Sequence, residues 1–239
     1  MSLKSLALSL QNVGTFYWRQ AGYLRKERFW ALKDITFDLY HGESLGVIGR
    51  NGAGKSTLLQ VLAGILRPDR GKLINHGTRA ALLSLQIGFV PYLTGRQNAL
   101  LSGMLLGLTK QEVIKRMADI QAFSELGDFF DQPISTYSSG MSARLGFSVA
   151  FQLDPDVLLI DEVLGVGDAD FRRKSSAVMH EKIRSNKTIV LVSHSAETIQ
   201  RLCDRAVWIE EGQTRAYGTT SEVLSTYEEY LSTKHQSRD

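Results

Sequence analysis

Alternating and continuous apolar runs divide the chain into predicted strands. Residues 5–13 and 32–40 alternate apolar and polar positions, which predicts two strands that are each buried on one face. Residues 42–49, 157–162 and 187–194 are largely apolar before they end in glycine, paired acids and histidine, respectively. Such runs are typical of strands in a parallel sheet that is covered on both faces. The strand pattern therefore predicts a sheet with a parallel core.

Helical periodicity occupies the segments between these strands. Residues 55–66 have the spacing of one helix, and residues 96–132 fit two or more. Residues 138–153 predict a further helix, for which Ser138 or Ser139 is a suitable N-cap. Strands that alternate with helices in this way predict an α/β fold.

The end of the chain predicts a hairpin and a last helix. Residues 205–218 contain two strand-like stretches around Gly212. Thr219 and Glu222 resemble a capping box, which predicts a helix from there to about Leu231. We expect the last six residues to be frayed.

Composition narrows the class of protein. Of 239 residues, 43% are hydrophobic and 22% are charged, which is typical of a chain that folds around a packed core. The single cysteine, Cys203, excludes an internal disulfide. The first ten residues lack the small-residue cleavage site of a signal peptide, and no run reaches the ~18 apolar residues of a membrane-spanning helix. We therefore expect no signal peptide and a membrane role only through a partner.

The net charge of +3 is concentrated in one short segment. Residues 17–30, with the sequence YWRQAGYLRKERFW, hold four of the 28 basic residues and one of the 25 acidic residues. The rest of the chain is balanced in charge. A local basic segment argues against a general nucleic-acid-binding surface, so we expect no nucleic-acid partner.

A phosphate-binding loop lies between the third predicted strand and the first predicted helix. Its sequence fits G-x-x-x-x-G-K-[ST] in the strand–loop–helix context that confirms a P-loop. Glycines let backbone N–H groups turn towards phosphate oxygens, and the helix N-terminus adds its positive dipole end. Lys55 can reach the β- and γ-phosphates, and Ser56 can bind Mg²⁺. The motif and its neighbour are Gly49, Arg50, Asn51, Gly52, Ala53, Gly54, Lys55, Ser56 and Thr57.

Two later strands end in residues that suit nucleotide hydrolysis. Asp161 at a strand end suits Mg²⁺, and Glu162 could orient or deprotonate an attacking water. His194 ends another buried run, and parallel strands present their carboxyl ends to one ligand crevice. It could then hydrogen-bond the γ-phosphate. An acid pair or a lone histidine is by itself usually structural, but the upstream phosphate loop favours the functional interpretation.

The segment before the acidic strand, YSSGMSARLGF, resembles the signature of the ATP-binding cassette (ABC) ATPases. That signature is a short Ser-Gly stretch that opens a helix, and taken alone it would be an ordinary helix cap. The phosphate loop and the acidic pair around it carry the resemblance. Met141 stands where the commonest form has a glycine, and Ser142 where it has a glutamine. The signature positions are Ser138, Ser139, Gly140, Met141 and Ser142.

The resemblance covers residues 5–215 and implies a fold. It implies an α/β P-loop NTPase of ABC type, with a mostly parallel core sheet, an N-terminal antiparallel β subdomain and a helical subdomain. It places the core at about 1–92 and 154–215, the helical subdomain at about 93–153, and a C-terminal helix at about 219–231. ATP and Mg²⁺ are the implied cofactors.

The resemblance also implies that two chains complete each nucleotide site. In the family, the signature binds the γ-phosphate that the other subunit holds, so Ser139 and the N–H of Gly140 become the donors. Gly167 and Asp168 match the D-loop, which links the two sites of a dimer.

Two further family positions have an uncertain register. Tyr17 matches the aromatic residue that stacks on adenine, and Trp18 takes its place if the register differs by one. Gln86 is the candidate for the glutamine that touches Mg²⁺ and the membrane partner, although alignment on the following PYLTG places that position at Leu85.

Several details resemble one branch, the ATPase subunits of bacterial polysaccharide exporters. They are the signature YSSGM, the stretches GFVPYLTGRQN and IDEVLGVGD, and an insertion before WALKDITF. The branch implies a homodimer on the cytoplasmic face of the cell membrane, bound to two copies of a permease subunit, with a polysaccharide or lipid-linked polysaccharide as cargo. Some members add a C-terminal carbohydrate-binding domain, which we expect to be absent here.

Two other functions stay open. An importer or small-molecule exporter subunit would keep the same ATPase chemistry with another cargo. A soluble cassette ATPase that acts on nucleic acid or ribosomes usually carries two cassettes or long coiled-coil insertions, and the chain has neither.

The middle of the basic segment, residues 19–29, is the insertion relative to a minimal cassette. One interpretation is a solvated surface loop. The other is an interfacial element at the membrane, because Arg and Lys suit phosphate groups and aromatic residues suit the headgroup level. Its residues would be Tyr23, Arg25, Lys26 and Arg28.

Overall fold

A computed structural model describes residues 5–21, 25–83, 88–152, 154–161 and 167–236. Their contacts divide the chain into two compact units. The first unit comprises Met1–Ala80, Asp156–Glu162 and Ile183–Asp239. The second comprises Ala81–Pro155 and Val163–Lys182. Both units are interrupted in sequence, so each is assembled from distant segments.

A mixed sheet forms the first unit. Its described strands are β1 (Leu6–Gln20), β2 (Lys26–Tyr40), β3 (Ser44–Ile48), β4 (Arg70–Asn75), β6 (Val157–Asp161), β7 (Thr188–Val192), β8 (Arg205–Glu210) and β9 (Gln213–Thr219). The short strand β5 (Ala80–Leu82) begins at the last residue of Met1–Ala80 and continues into the second unit. From one edge the order is β4-β1-β2-β9-β8-β3-β7-β6. Strands β8, β3, β7 and β6 run parallel, while β1 pairs antiparallel with β2 and β4. The predicted parallel core and antiparallel N-terminal part are therefore confirmed.

Seven α-helices occur among the described residues, with two short 3-10 helices at Gly127–Asp131 and Ile134–Thr136. They are α1 (Lys55–Leu62), α2 (Gly95–Leu105), α3 (Lys110–Ser124), α4 (Ser139–Phe151), α5 (Ala169–Arg184), α6 (Ala196–Leu202) and α7 (Thr220–Gln236). The first unit holds α1, α6 and α7, and the second holds α2 to α4 with most of α5. None of the described helices is long and apolar enough to cross a membrane.

The parallel strands are buried because they are apolar on both faces. Every residue of β3 and β7 is buried, as are the first four of β6. Their register aligns Val47 of β3 with Val192 of β7, and Val192 with Asp161 of β6. The carboxyl ends of three strands thus lie in one row, as the sequence predicts.

Stacked rings and capped helices hold the second unit together. Threonine capping boxes open α2 at Thr94 and α3 at Thr109. Phe147 is fully buried, and its ring lies about parallel to those of Phe123 and Phe151, with centroids 5.9 and 6.0 Å apart. The ring of Phe171 meets it edge-on at 6.1 Å. Because these rings come from three helices, their packing fixes α3, α4 and α5 against one another.

Two helix ends differ from the sequence prediction. Helix α1 ends at Leu62 instead of residue 66, because Gly64 adopts a left-handed φ of 71° that terminates the helix. Helix α7 extends to Gln236, beyond the predicted end at Leu231. Its last turn is held by Lys234, whose Nζ donates to the hydroxyl of Tyr230 at 2.7 Å. The expected fraying is therefore wrong for Lys234 to Gln236.

The described ends of the insertion, residues 19–20 and 26–29, continue the first two strands. Cross-strand pairs join Trp18 to Arg28, Arg19 to Glu27, and Gln20 to Lys26. Paired strands satisfy the backbone hydrogen bonds that a loop would leave to water, so the loop interpretation is wrong for these positions. Tyr23 lies outside the described residues.

Candidate functional site

The phosphate loop connects β3 to α1 through a backbone that requires glycine. Gly52 and Gly54 have left-handed φ values of 79° and 106°. A Cβ at Gly54 would lie 2.5 Å from the carbonyl oxygen of Ala31, too close for any side chain. Gly54 is also the N-cap of α1, and it supplies no side-chain hydrogen bond to the first turn. The first N–H groups of α1 therefore remain available to an anion.

Lys55 is held inside this loop. Its side chain is only 6% exposed, and its Nζ donates to the carbonyl oxygens of Gly49 at 2.7 Å and Arg50 at 3.0 Å. A buried ammonium is stable there because two carbonyl dipoles compensate its charge. The structure thus brings the predicted phosphate-binding lysine to the helix N-terminus, among Asn51, Gly52 and Ala53.

The two predicted magnesium ligands contact each other. The hydroxyl of Ser56 donates to Oδ2 of Asp161 at 3.0 Å, across 105 positions of sequence. Ser56 is the second residue of α1, and Asp161 ends β6. A hydroxyl and a carboxylate fit Mg²⁺, which prefers oxygen ligands and is held by few protein groups together with substrate phosphates. The donor set therefore fits the implied cation.

His194 lies at the same edge of the sheet. It follows β7 by two residues and is exposed, and Ser195 next to it caps α6 by accepting the N–H of Thr198 at 3.1 Å. The strand register places β7 beside β6, so His194 and Asp161 follow neighbouring strand ends. Glu162, Gln86 and the alternative Leu85 lie outside the described residues.

Strand alternation separates Tyr17 from Trp18. The hydroxyl of Tyr17 lies 3.4 Å from both Oγ1 of Thr57 and Oε1 of Gln60 on α1, so this face of the hairpin covers the helix. Trp18 points to the other face, where its ring meets that of Phe16 at 5.5 Å. The structure therefore places Tyr17 on the phosphate-loop side and Trp18 away from it.

The signature residues open α4 in the second unit. Ser138, one of the two N-cap candidates from the sequence, is the N-cap, and its hydroxyl accepts the N–H of Met141 at 3.1 Å. Ser139 is exposed at the first helical position, and a Cβ on Gly140 would approach only the Ser138 hydroxyl, at 3.7 Å. The backbone at Gly140 is therefore open to an approaching group.

A cleft of about 430 Å³ joins the signature to the D-loop residues within this unit. Asp168 lies in it and accepts the N–H of Phe171 at 3.0 Å, which caps α5. That hydrogen bond, followed by one from Arg144, lowers the pKa of the Asp168 carboxyl. The lining residues include Ser138, Gly140, Met141, Gly167 and Asp168.

Comparison with known proteins decides the family. A protein-family model described as "ABC transporter" matches residues 32–165, more than half of the chain. The chain belongs to the ABC transporter family. The match spans the phosphate loop, the signature and the acidic strand that the structure describes.

Curated relatives of this ABC protein are named for export. The chain is 46% identical over 208 residues to an O-antigen export system ATP-binding protein of Klebsiella pneumoniae, covering 87% of the chain and 85% of the relative. It is 50% identical to an O-antigen export ATP-binding protein of Myxococcus xanthus, covering 84% of the chain and 46% of the relative. A teichoic acids export ATP-binding protein of Lactococcus lactis is 45% identical, with 85% and 43% covered. The chain thus spans less than half of the last two.

A solved ABC cassette has the same fold. It is a dimeric ATP-binding cassette in a post-hydrolysis state with ADP and Pi, and it matches with a TM-score of 0.70 at 20% identity. The match covers 89% of the chain and 98% of the cassette. The ABC-type α/β fold is therefore confirmed.

The sequence pattern did not single out Arg144, which joins the helix of the predicted signature to Asp168 of the predicted D-loop in this ABC protein. Its guanidinium contacts the Asp168 carboxylate and lies 3.6 Å from that of Glu125. Its side chain is only 18% exposed. A single basic residue within the otherwise uncharged α4 is the sequence signal that could have found it.

Proposed function

We propose that this chain is the ATP-binding and ATP-hydrolysing subunit of a bacterial ABC exporter that moves a polysaccharide, carried on a lipid, across the cytoplasmic membrane. The observation that carries the ATPase part is the contact between Ser56 and Asp161 beside the buried Lys55. The names of the relatives from three bacteria support the proposal that the cargo is a polysaccharide.

Each residue of the site has a separate role in the proposed hydrolysis of ATP. The N–H groups of α1 and the ammonium of Lys55 bind the phosphates, and Tyr17 stacks on the adenine. Ser56 and Asp161 would hold Mg²⁺, which would supply positive charge beside the phosphate oxygens. Glu162 orients or deprotonates the attacking water, and His194 hydrogen-bonds the γ-phosphate. The position of Glu162 directly after β6 in sequence supports its role.

A second copy of the chain completes each site. Ser139 and the N–H of Gly140 bind the γ-phosphate that the partner holds, with Asp168 nearby in the cleft that joins signature and D-loop. ATP binding then closes the dimer and hydrolysis opens it. Two copies of an integral-membrane permease receive this motion, which places the chain at the cytoplasmic face of the membrane.

A Glu162→Gln variant tests the ATPase mechanism. It should bind ATP with near-normal affinity, lose turnover by about 100-fold or more, and accumulate as an ATP-bound dimer in size-exclusion chromatography. Glu228→Gln, on the exposed side of α7, is the matched control and should hydrolyse ATP normally. Normal turnover in Glu162→Gln would show that another residue activates the water.

The cargo is tested in cells. Deleting the gene should stop polymer display at the cell surface, while affinity purification of the tagged chain should recover a permease subunit. Loss of transport of a different solute, with normal surface polymer, would instead support another ABC cargo.

The β1–β2 hairpin is proposed as the part of the chain that lies at the membrane. On its outer face the guanidinium of Arg28 stacks over the rings of Phe16 and Trp18, at 4.9 and 5.5 Å. Trp18 is 60% exposed. Stacking directs the N–H edges of a guanidinium outward, where they suit lipid phosphates, and tryptophan suits the headgroup level.

An Arg25→Ala/Lys26→Ala/Arg28→Ala variant tests this placement. It should impair export and spare ATP hydrolysis. Arg19→Ala, whose side chain is paired with Glu27 on the other face, serves as the control. Normal export in the triple variant would refute a membrane role for the hairpin.

A further inference from the structure

A buried carboxylate lies beneath the phosphate loop. Glu210 ends β8, its side chain is 5% exposed, and it is one of few buried acids in the described part of the chain. Burying a carboxylate is costly unless cations or hydrogen-bond donors compensate it. The groups that contact Glu210 therefore indicate the role of this carboxylate.

The turn that follows Glu210 is joined to the phosphate loop by its backbone. The N–H of Gly212 donates to the carbonyl oxygen of Ala53 at 3.1 Å. A Cβ on Gly49 would lie 2.1 Å from the carbonyl oxygen of Ile209, which shows how closely the two segments pack. The end of β8 is therefore packed directly against the phosphate loop.

Glu210 also contacts the loop through a side chain. Its Oε1 lies 3.8 Å from Nη1 of Arg50. The carbonyl oxygen of Arg50 in turn accepts a hydrogen bond from Nζ of Lys55. The carboxylate is thus two contacts from the ammonium that is proposed to bind phosphate.

Side chains of the C-terminal helix α7 contact the same oxygen, Oε1 of Glu210. The hydroxyl of Tyr230 donates to Oε1 of Glu210 at 3.3 Å, and Nζ of Lys234 lies 4.0 Å from it. The ring of Tyr230 packs on Trp208 of β8 with centroids 4.9 Å apart. Oε2 of Glu210 has no hydrogen-bond partner among the described residues, so Oε1 alone fixes the orientation of the carboxylate.

We infer that Glu210 is a positioning residue for the phosphate loop, and that α7 sets its orientation through Tyr230 and Lys234. The ordered carboxylate anchors Arg50 and thereby the loop before ATP arrives. Without this contact the phosphate loop is less ordered before ATP binds. Part of the binding free energy must then offset the cost of ordering the loop. ATP affinity falls, whereas the chemical step is unchanged because Glu210 contacts no reacting atom. This inference rests on the proposed ATP site.

The test measures ATP binding and turnover in the full-length protein. Tyr230→Phe removes the hydroxyl that orients Glu210, and we expect it to raise the Kd and KM for MgATP about two- to fivefold, with kcat unchanged. Tyr217→Phe is the matched control. It removes a tyrosine hydroxyl of the same unit, one that donates to the carbonyl oxygen of Asp38 instead of to Glu210, and should bind ATP normally.

A double-mutant cycle separates positioning from a general effect on folding. Combined with Arg50→Gln, the substitution Tyr230→Phe should cause no further loss of affinity, because the contact through which it acts is already gone. Additive losses, or a lowered Tm with unchanged Kd in Tyr230→Phe, would overturn the inference and show that α7 only stabilises the fold. Failure of the wild-type chain to bind MgATP would instead refute the proposed function.

Discussion

Replacing Tyr17 with alanine tests the assignment of the adenine platform. The structure places its ring on the hairpin face that covers α1, with the hydroxyl 3.4 Å from Thr57 and Gln60. The ring is 40% exposed, so one face can accept a base without rearrangement of the core. The proposed platform therefore needs no rearrangement of the core to accept a base.

The expected loss of ATP affinity in Tyr17→Ala follows from the free energy of base stacking. A base stacked on an aromatic side chain contributes about 1–3 kcal/mol, so Tyr17→Ala should raise the Kd for MgATP about 5- to 150-fold. The hydroxyl contacts of Tyr17 are at the long limit of a hydrogen bond, so Tyr17→Phe should stay within about threefold of the wild type. Titration with a fluorescent ATP analogue measures all three proteins.

Trp18→Ala is the matched control for this experiment. It removes a larger and more exposed ring one position away, but on the opposite face of β1. We expect its Kd to be unchanged. If Trp18→Ala loses affinity and Tyr17→Ala does not, the side-chain alternation inferred for the hairpin is wrong.

Three further predictions concern stability and reactivity. Phe147→Ala should destabilise the second unit by about 3–5 kcal/mol in urea unfolding, because it opens a cavity among stacked rings; a loss below about 1 kcal/mol would contradict that packing. Burial, with a smaller effect of Asp204, raises the pKa of the Cys203 thiol to about 12, so at pH 8 a disulfide reagent should label the native chain more than about 100-fold slower than the unfolded one. The pKa of Asp168 is lowered by the Phe171 N–H and by Arg144, so its stabilising effect is present above the ordinary carboxyl pKa and is lost as pH falls through the lowered value. The difference in urea midpoint between the wild type and Asp168→Asn should therefore be larger at pH 7 than at pH 3.

The parallel core and the phosphate loop were predictable because local sequence determines them. Buried strands need continuous apolar runs, and the turns at Gly52 and Gly54 need residues that tolerate a positive φ. The contact of Ser56 with Asp161 was also predictable in outline, since parallel strands end at one edge.

The hairpin and the charged pairs were not predictable from local pattern. Residues 19–20 and 26–29 carry no clear alternation of apolar and polar positions, yet they lie in β1 and β2, where cross-strand pairs such as Arg19 with Glu27 stabilise them. Likewise, Arg144 meets Asp168 and Arg50 meets Glu210 only after distant segments have packed. Such pairs depend on tertiary structure, which the spacing of residues in one segment does not encode.

The two carbonyl contacts of Lys55 have a consequence for variants of this lysine. The carbonyl oxygens of Gly49 and Arg50 converge on its ammonium. Without that cation, two inward-pointing carbonyl dipoles would face the phosphates and repel them. A neutral substitution therefore converts an attractive loop into a repulsive one, and a Lys55→Met variant measures the sum of both effects. Lys55→Arg, which retains the charge in a larger group, would separate the loss of charge from the loss of fit.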